Sequence, residues 1–280
     1  MPTTSNGDIE LYYETFGDPT DPPILLINGL GSQCINYDVE WLRMFVERGL
    51  FMMRFDNRDV GRSTWLDGVR ADWDDPAYTA VDMAGDAVAV LDAVGIERAT
   101  IHGVSMGGMI AQRVAIHHPE RVLRLISVMS ASGKPEYGAP TPEAQAQIMQ
   151  PPATDREGYV QEWIAGMRVW GSPAWADEAR WRFEAERAYD RAYNPAGPPR
   201  QIAAARGSRP SAPDLPDLKV PTLVMHGLAD TLITPSAAHR LAELIPGARL
   251  ELIEGMGHDY PPGLWPRWTD IVVDFIDTTA

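Results

Sequence analysis

Ser105 lies in Gly103-Val104-Ser105-Met106-Gly107, a Gly-x-Ser-x-Gly pentapeptide followed at once by Gly108 and an alanine-containing apolar stretch. Residues 98–102 before it read as a short strand, and residues 109–117 after it as a helix that stops before Pro119. A serine in the tight turn between a strand and a helix stands at the strand's tip with its hydroxyl exposed. Such a turn strains the backbone, so Gly103 and Gly107 are expected where a Cβ would clash. The free N–H groups at the helix N-terminus point at the same spot. A serine that attacks a carbonyl also needs a base for its proton, a carboxylate to orient that base, and donors for the developing oxyanion.

Asp230 and His258 meet the first two needs. Asp230 closes Gly227-Leu228-Ala229-Asp230 and His258 closes Gly255-Met256-Gly257-His258, each after a strand-like run. The other five histidines have plainer accounts. His117 and His118 sit at a helix end, a normal place for histidine, and His239 lies within a helix facing solvent. His102 flanks the serine turn and is expected to point into the sheet, away from Ser105, while His226 ends a strand and could support the site from behind.

The elements that must position these residues alternate. Strands are expected at 10–16, 23–27, 50–55, 122–129, 220–226 and 248–253, beside the one at 98–102. Helices are expected at 41–48, 79–94, up to Leu244 after a Thr234-Pro235 cap, and 265–276. In the helix at 79–94, Val81, Ala84, Val88 and Leu91 share one stripe and Gly95 gives the stop. Several strands are continuous apolar runs, as strands buried on both faces require, which predicts a mostly parallel sheet with helices on both sides.

That rhythm breaks between Lys134 and Lys219, a proline-rich span of polar helical patterns without a buried strand. Tyr159, Trp163 and Met167 form one helical stripe. Ser172-Pro173 reads as the start of a second helix in which Trp175, Ala179 and Phe183 share a face. The span reads as a helical insertion, 134–219, over the sheet's carboxyl edge, with 1–133 and 220–280 forming the core. It holds four of the nine tryptophans, Trp163, Trp170, Trp175 and Trp181. With Met129 these are candidate pocket residues, although packing of insertion against core would explain the tryptophans equally well.

With 280 residues, 45% apolar and 22% charged, the chain can build a large core. Its net charge of -15 disfavours nucleic acid and anionic membranes as partners. The insertion has 12 acidic and 11 basic residues, so nearly all the excess acidity belongs to the core and need not describe the substrate. One cysteine, Cys34, excludes an internal disulfide and reads as a small buried hydrophobe rather than a catalytic thiol. A polar first ten residues and no transmembrane-length apolar window make the cytoplasm the expected location. No H-E-x-x-H, Cys/His ladder or dinucleotide-type glycine loop is present, so neither metal nor cofactor is expected. A homo-oligomer is compatible with the sequence.

Taken together, the elbow, the strand-end loops and the insertion resemble the α/β-hydrolase fold family, over essentially the whole chain. The resemblance implies a Ser105, Asp230, His258 triad in the family's chain order. Some members take the carboxylate from the end of the strand after the elbow, but Val128-Met129-Ser130-Ala131-Ser132 contains no acid. The resemblance also implies an oxyanion hole formed by the backbone N–H groups of Met106 and Leu30. Where many members have His-Gly, this chain has Asn28-Gly29-Leu30-Gly31, and Asn28 is expected to tie down the loop. Asp59 stands where the family usually has glycine, in Asp56-Asn57-Arg58-Asp59-Val60-Gly61-Arg62-Ser63, which suggests a relaxed backbone requirement there.

Within the family the motifs are similar to the actinobacterial esterases around aclacinomycin methylesterase, which remove a methyl ester from a fused-ring polyketide glycoside. They are also compatible with lactonases of large aromatic lactones such as zearalenone. Both imply a bulky, largely apolar ester or lactone, hydrolysed through an acyl-enzyme. Serine at 105 disfavours dehalogenases and epoxide hydrolases, which need an aspartate nucleophile. A cofactor-free perhydrolase or a C–C bond hydrolase would keep the same three residues, and a small-molecule receptor could keep them as a vestige. For a hydrolase, activity is expected to rise with pH as a histidine base loses its proton, roughly between pH 6 and 8.

Overall fold

The computed structural model describes residues 2–134 and 136–279. Residues 1, 135 and 280, at the ends of the expected core and at the start of the expected insertion, lie outside the described residues. In chain order the elements are β1 (Thr3–Asn6), β2 (Ile9–Phe16), β3 (Pro23–Ile27), α1 (Val39–Val46), β4 (Phe51–Phe55), α2 (Ala80–Val94), β5 (Ala99–Val104), α3 (Met106–His117) and β6 (Val122–Val128). The insertion follows as α4 (Pro142–Ile148), α5 (Arg156–Trp170), α6 (Glu178–Arg191) and α7 (Gly197–Gly207). The chain then returns to the sheet with β7 (Thr222–Gly227), α8 (Ser236–Leu244), β8 (Arg249–Ile253) and α9 (Trp265–Thr278).

Among the described residues the strands form one sheet in the order β1-β2-β4-β3-β5-β6-β7-β8. The β1–β2 and β2–β4 pairings are antiparallel and the rest are parallel. Alternation along β3 explains why it must be apolar throughout. Leu25 and Ile27 enter one core cluster with α2, α3 and α8, while Ile24 and Leu26 enter a second with α1 and α9. From β3 the chain passes first to β4 on one side and then to β5 on the other. The loops after β3 and β5 therefore leave the sheet side by side at a topological switch point, where open α/β sheets form their clefts.

Several expectations need correction. β1 carries no apolar run and so gives no strand signal in the sequence; it is a short, partly exposed edge strand. In α2, Gly95 closes the end in the left-handed region, as expected, and Thr79 makes a capping box with Asp82 at the start. Its buried face, however, is Ala80, Met83, Ala84, Ala87, Val90 and Leu91, and Val81 is exposed. Ser172-Pro173 opens only one 3-10 turn, Pro173–Trp175. Asp177 caps α6 by accepting from the Arg180 N–H, so Trp175 and Phe183 do not share a helix face. Phe183 is exposed and covered by the guanidinium groups of Arg180 and Arg187. Before α8, the Thr234 hydroxyl donates to the Ala139 carbonyl instead of capping the helix. Asp59 has φ 68, so the left-handed backbone that glycine usually serves is still required here. Among the described residues no helix is long and apolar enough to cross a membrane.

Candidate active site

Ser105 links β5 to α3 with φ 55 and ψ -124, a conformation foreign to ordinary residues. It persists because its neighbours leave room. A Cβ at Gly103 would run into the carbonyl oxygen of Gly107, and one at Gly107 into that of Ile27. The elbow is therefore wedged between α3 and the end of β3, and Ser105 N–H is held by the Val128 carbonyl at 2.9 Å.

His258 and Asp230 arrive from the loops after β8 and β7. His258 Nε2 is 2.9 Å from Ser105 Oγ, and His258 Nδ1 is 2.7 Å from Asp230 Oδ2. A carboxylate can only accept, so Nδ1 carries the proton and Nε2 presents its lone pair to the serine hydroxyl. Burial alone would raise the Asp230 pKa. The charge and hydrogen bonds of His258 and His226 outweigh it and hold the carboxyl at about 2. Its second oxygen accepts the N–H groups of Leu232 and Ile233, each at 2.9 Å. His226 lies behind it, its Nε2 donating to the Ile233 carbonyl at 2.7 Å and standing 3.3 Å from Asp230 Oδ2.

The remaining expected residues gather around this relay. A Cβ built on Gly29 would lie 3.1 Å from Ser105 Cβ, so the loop after β3 abuts the serine. Leu30 and Met106 both line the cavity above Ser105. Met106 is the first residue of α3, so its N–H has no intrahelical acceptor. Asn28 ties the loop as expected, donating to the Gln33 carbonyl at 2.8 Å and accepting from Tyr260 OH at 3.2 Å. His102 points away from Ser105, buried against Trp268 and Tyr37, and burial lowers its pKa to about 4. Cys34 is also buried, and burial pushes its thiol pKa well up.

The cavity has a volume of about 1080 Å³ and is walled mainly by the insertion. Trp163, Trp170, Trp175, Trp181 and Met129 all line it. The tryptophans also pack: Trp181 is buried with Val160, Ile164 and Ala185, and Trp175 lies against Gly263. Contacts that sequence reasoning did not foresee lock this roof to the site. The Gly31 N–H donates to Gln201 Oε1 of α7 at 2.8 Å, while Gln201 Nε2 donates to the Arg58 carbonyl at 2.9 Å. Ser172 and Asp259 meet beside His258. Their partners are far apart in sequence, and no local pattern announces them. Among the described residues no group of three or more His, Cys, Asp or Glu side chains is placed to hold a metal.

An elbow serine, a histidine and an acid on successive strand-end loops, and a switch-point cleft recur together in one fold, and residues 22–260 match its family model, described as the alpha/beta hydrolase fold. The chain belongs to the α/β-hydrolase family. Among its α/β-hydrolase relatives, rhodomycin D methylesterase of Streptomyces peucetius is 31% identical over 93% of both chains. A 3-oxoadipate enol-lactonase of Acinetobacter baylyi is 27% identical, covering 90% of this chain and 88% of that one. Among solved structures, an esterase of Exiguobacterium antarcticum superposes with a TM-score of 0.81 at 22% identity, over 99% of this chain and 100% of the other. That last likeness is one of fold.

Proposed function

We propose that this α/β-hydrolase is a serine esterase that cleaves a carboxylic ester of a bulky, largely apolar compound through an acyl-enzyme. The observation that carries the reading is the Ser105–His258–Asp230 relay, at 2.9 and 2.7 Å, opening into a tryptophan-walled cavity of about 1080 Å³. In this reading residues 1–133 and 220–280 carry the chemistry and 134–219 select the substrate. Similarity to a methylesterase over 93% of both chains favours a methyl ester.

His258 takes the proton from Ser105 as Oγ attacks the acyl carbon, and Asp230 stabilises the imidazolium that forms. The carbonyl oxygen becomes an oxyanion facing the N–H groups of Met106 and Leu30. Collapse breaks the ester C–O bond, and His258 returns the proton to the departing alkoxide. Water then attacks the acyl-enzyme, His258 accepting its proton and handing it to Ser105 Oγ as the acid leaves.

Fluorophosphonate labelling tests the chemistry: wild type is labelled and Ser105→Ala is not, and an unlabelled wild type sinks the reading. A panel of short p-nitrophenyl esters, methyl esters of polycyclic aromatic acids and macrolactones tests the substrate. Similarity to an enol-lactonase supports a second reading, lactone opening by the same attack. Faster turnover of macrolactones than of the matched open-chain esters would favour it.

A further inference from the structure

The loop that carries His258 is bound to the insertion as well as to the sheet. The His258 backbone N–H donates to the Trp170 carbonyl, the last residue of α5, at 2.6 Å. The Gly257 N–H donates to Ser172 Oγ at 2.8 Å. In return the Ser172 N–H donates to Asp259 Oδ1 at 2.9 Å, and the Ser172 hydroxyl donates to the same oxygen. Ser172 is fully buried, so with no water to compete its one proton is committed to Asp259 and its lone pair to Gly257. Gly257 makes the approach possible, because a Cβ there would run into Trp170 and Gly171. The Asp230 side is tied to the same turn, Thr231 Oγ1 donating to the Val169 carbonyl at 2.8 Å.

We propose that Ser172 and Asp259 are positioning residues for the proton transfer, clamping the His258 loop to the end of α5 so that Nε2 stays in line with Ser105 Oγ. The proposal rests on the reading of Ser105, Asp230 and His258 as a hydrolase triad. The Asp230 bond fixes Nδ1 and hence the tautomer, but it does not fix the backbone from which the ring hangs. Hydrogen bonds weaken steeply as their angle opens, so the 2.9 Å contact between Nε2 and Oγ needs a fixed Cα as well as a fixed ring. The clamp supplies that second constraint through bonds on both sides of His258. A charged acceptor strengthens them, Asp259 being a carboxylate that receives both bonds from Ser172. Seating of the insertion and alignment of the base are then one event.

Ser172→Ala removes both bonds of the hydroxyl and leaves its own N–H bond to Asp259. With p-nitrophenyl butyrate its kcat is expected to fall about tenfold or more while KM changes less than about twofold, since misplacement of a catalytic group costs rate more than binding. Inactivation by a fluorophosphonate should slow in parallel. Asp259→Asn, nearly isosteric, should lose kcat in the same direction, and it decides the matter if Ser172→Ala does not fold. Asn194→Ala removes a bond between the insertion and the core away from the base, from Nδ2 to the Asp59 carbonyl at 3.0 Å, and should keep the wild-type kcat. Wild-type kcat in both clamp variants, an equal loss in Asn194→Ala, or a loss carried wholly by KM would overturn the clamp. A wild type that the fluorophosphonate fails to label would overturn the triad reading itself, an outcome distinct from wild-type kinetics in the clamp variants.

Discussion

The guanidinium of Arg200, in the last helix of the insertion, grips the Asp59 carboxylate through two N–H···O bonds, Nε to Oδ2 at 2.9 Å and Nη2 to Oδ1 at 2.6 Å. Both side chains are buried, and Asp59 sits at φ 68, where glycine would be at ease. Tyr78 OH, at 2.9 Å, and the Leu66 N–H, also at 2.9 Å, take up the remaining acceptor capacity. The pair joins the insertion to the loop after β4 across 141 residues of chain.

Breaking one half of this pair should therefore cost more than a surface ion pair would. Arg200→Ala leaves a buried carboxylate without its partner and is expected to lose about 3–5 kcal/mol in urea unfolding at pH 7. Asp59→Gly relieves the backbone but strands the guanidinium, so it too should destabilise. Asp59→Gly combined with Arg200→Met should recover most of the loss. A loss within 0.5 kcal/mol or so for either single change would show the pair to be incidental.

Asp230 should matter for rate far beyond its effect on folding. Asp230→Asn keeps the shape but cannot hold Nδ1–H in the same way, and kcat is expected to drop by roughly 10³-fold or more. Steady-state kinetics on a p-nitrophenyl ester, with circular dichroism to confirm folding, provides the check. With the carboxyl held at about 2, below its ordinary range, the stability it contributes is complete above about pH 4. It is lost only as the pH falls towards 2, so protonation of Asp230 does not shape activity near neutrality.

The tryptophans should divide by what they touch. Trp181 is buried in the insertion's own small core, and Trp181→Ala is expected to cost about 3–5 kcal/mol. Trp163 is only partly buried and faces the cavity. Trp163→Ala should raise KM for a polycyclic ester while leaving a short p-nitrophenyl ester nearly unchanged. Equal effects on both esters would mean that Trp163 supports the fold and not the substrate.

Asp259 gives a pH signature in stability. Burial is the largest influence on it and raises its pKa to about 6, against the opposing bonds from Ser172 and the charge of His258. Glu184 adds to the rise. A carboxyl whose folded pKa is raised contributes stability at low pH that is lost as the pH climbs through the folded value. Asp259→Asn should therefore raise Tm at pH 8 and leave it nearly unchanged at pH 4, where the acid is already protonated. An equal shift at both pH values would contradict the assignment.

Sequence alone determined the parts of this protein that depend on local backbone chemistry. Gly103, Ser105 and Gly107 announce the elbow because only glycine tolerates the approach of Ile27 and Gly107. Asp230 and His258 were legible because each closes a short glycine-containing loop after a strand, and strand ends of a parallel sheet face one cleft. The end of α2 at Gly95 and the apolar run of β3 were legible for the same local reasons. Tertiary structure alone decided the rest. The register of α2 on the sheet turned Val81 outward, since a helix's buried face is set by what it packs against. Asp59 has a left-handed backbone, and its carboxylate finds its partner in Arg200, remote in sequence. Ser172 against Asp259 and Gln201 against Gly31 are separated by 87 and 170 residues, and a polar residue in a proline-rich insertion carries no mark of its partner. Those contacts arise only when the insertion folds down onto the sheet and buries both partners, which must then bond to each other because water is gone.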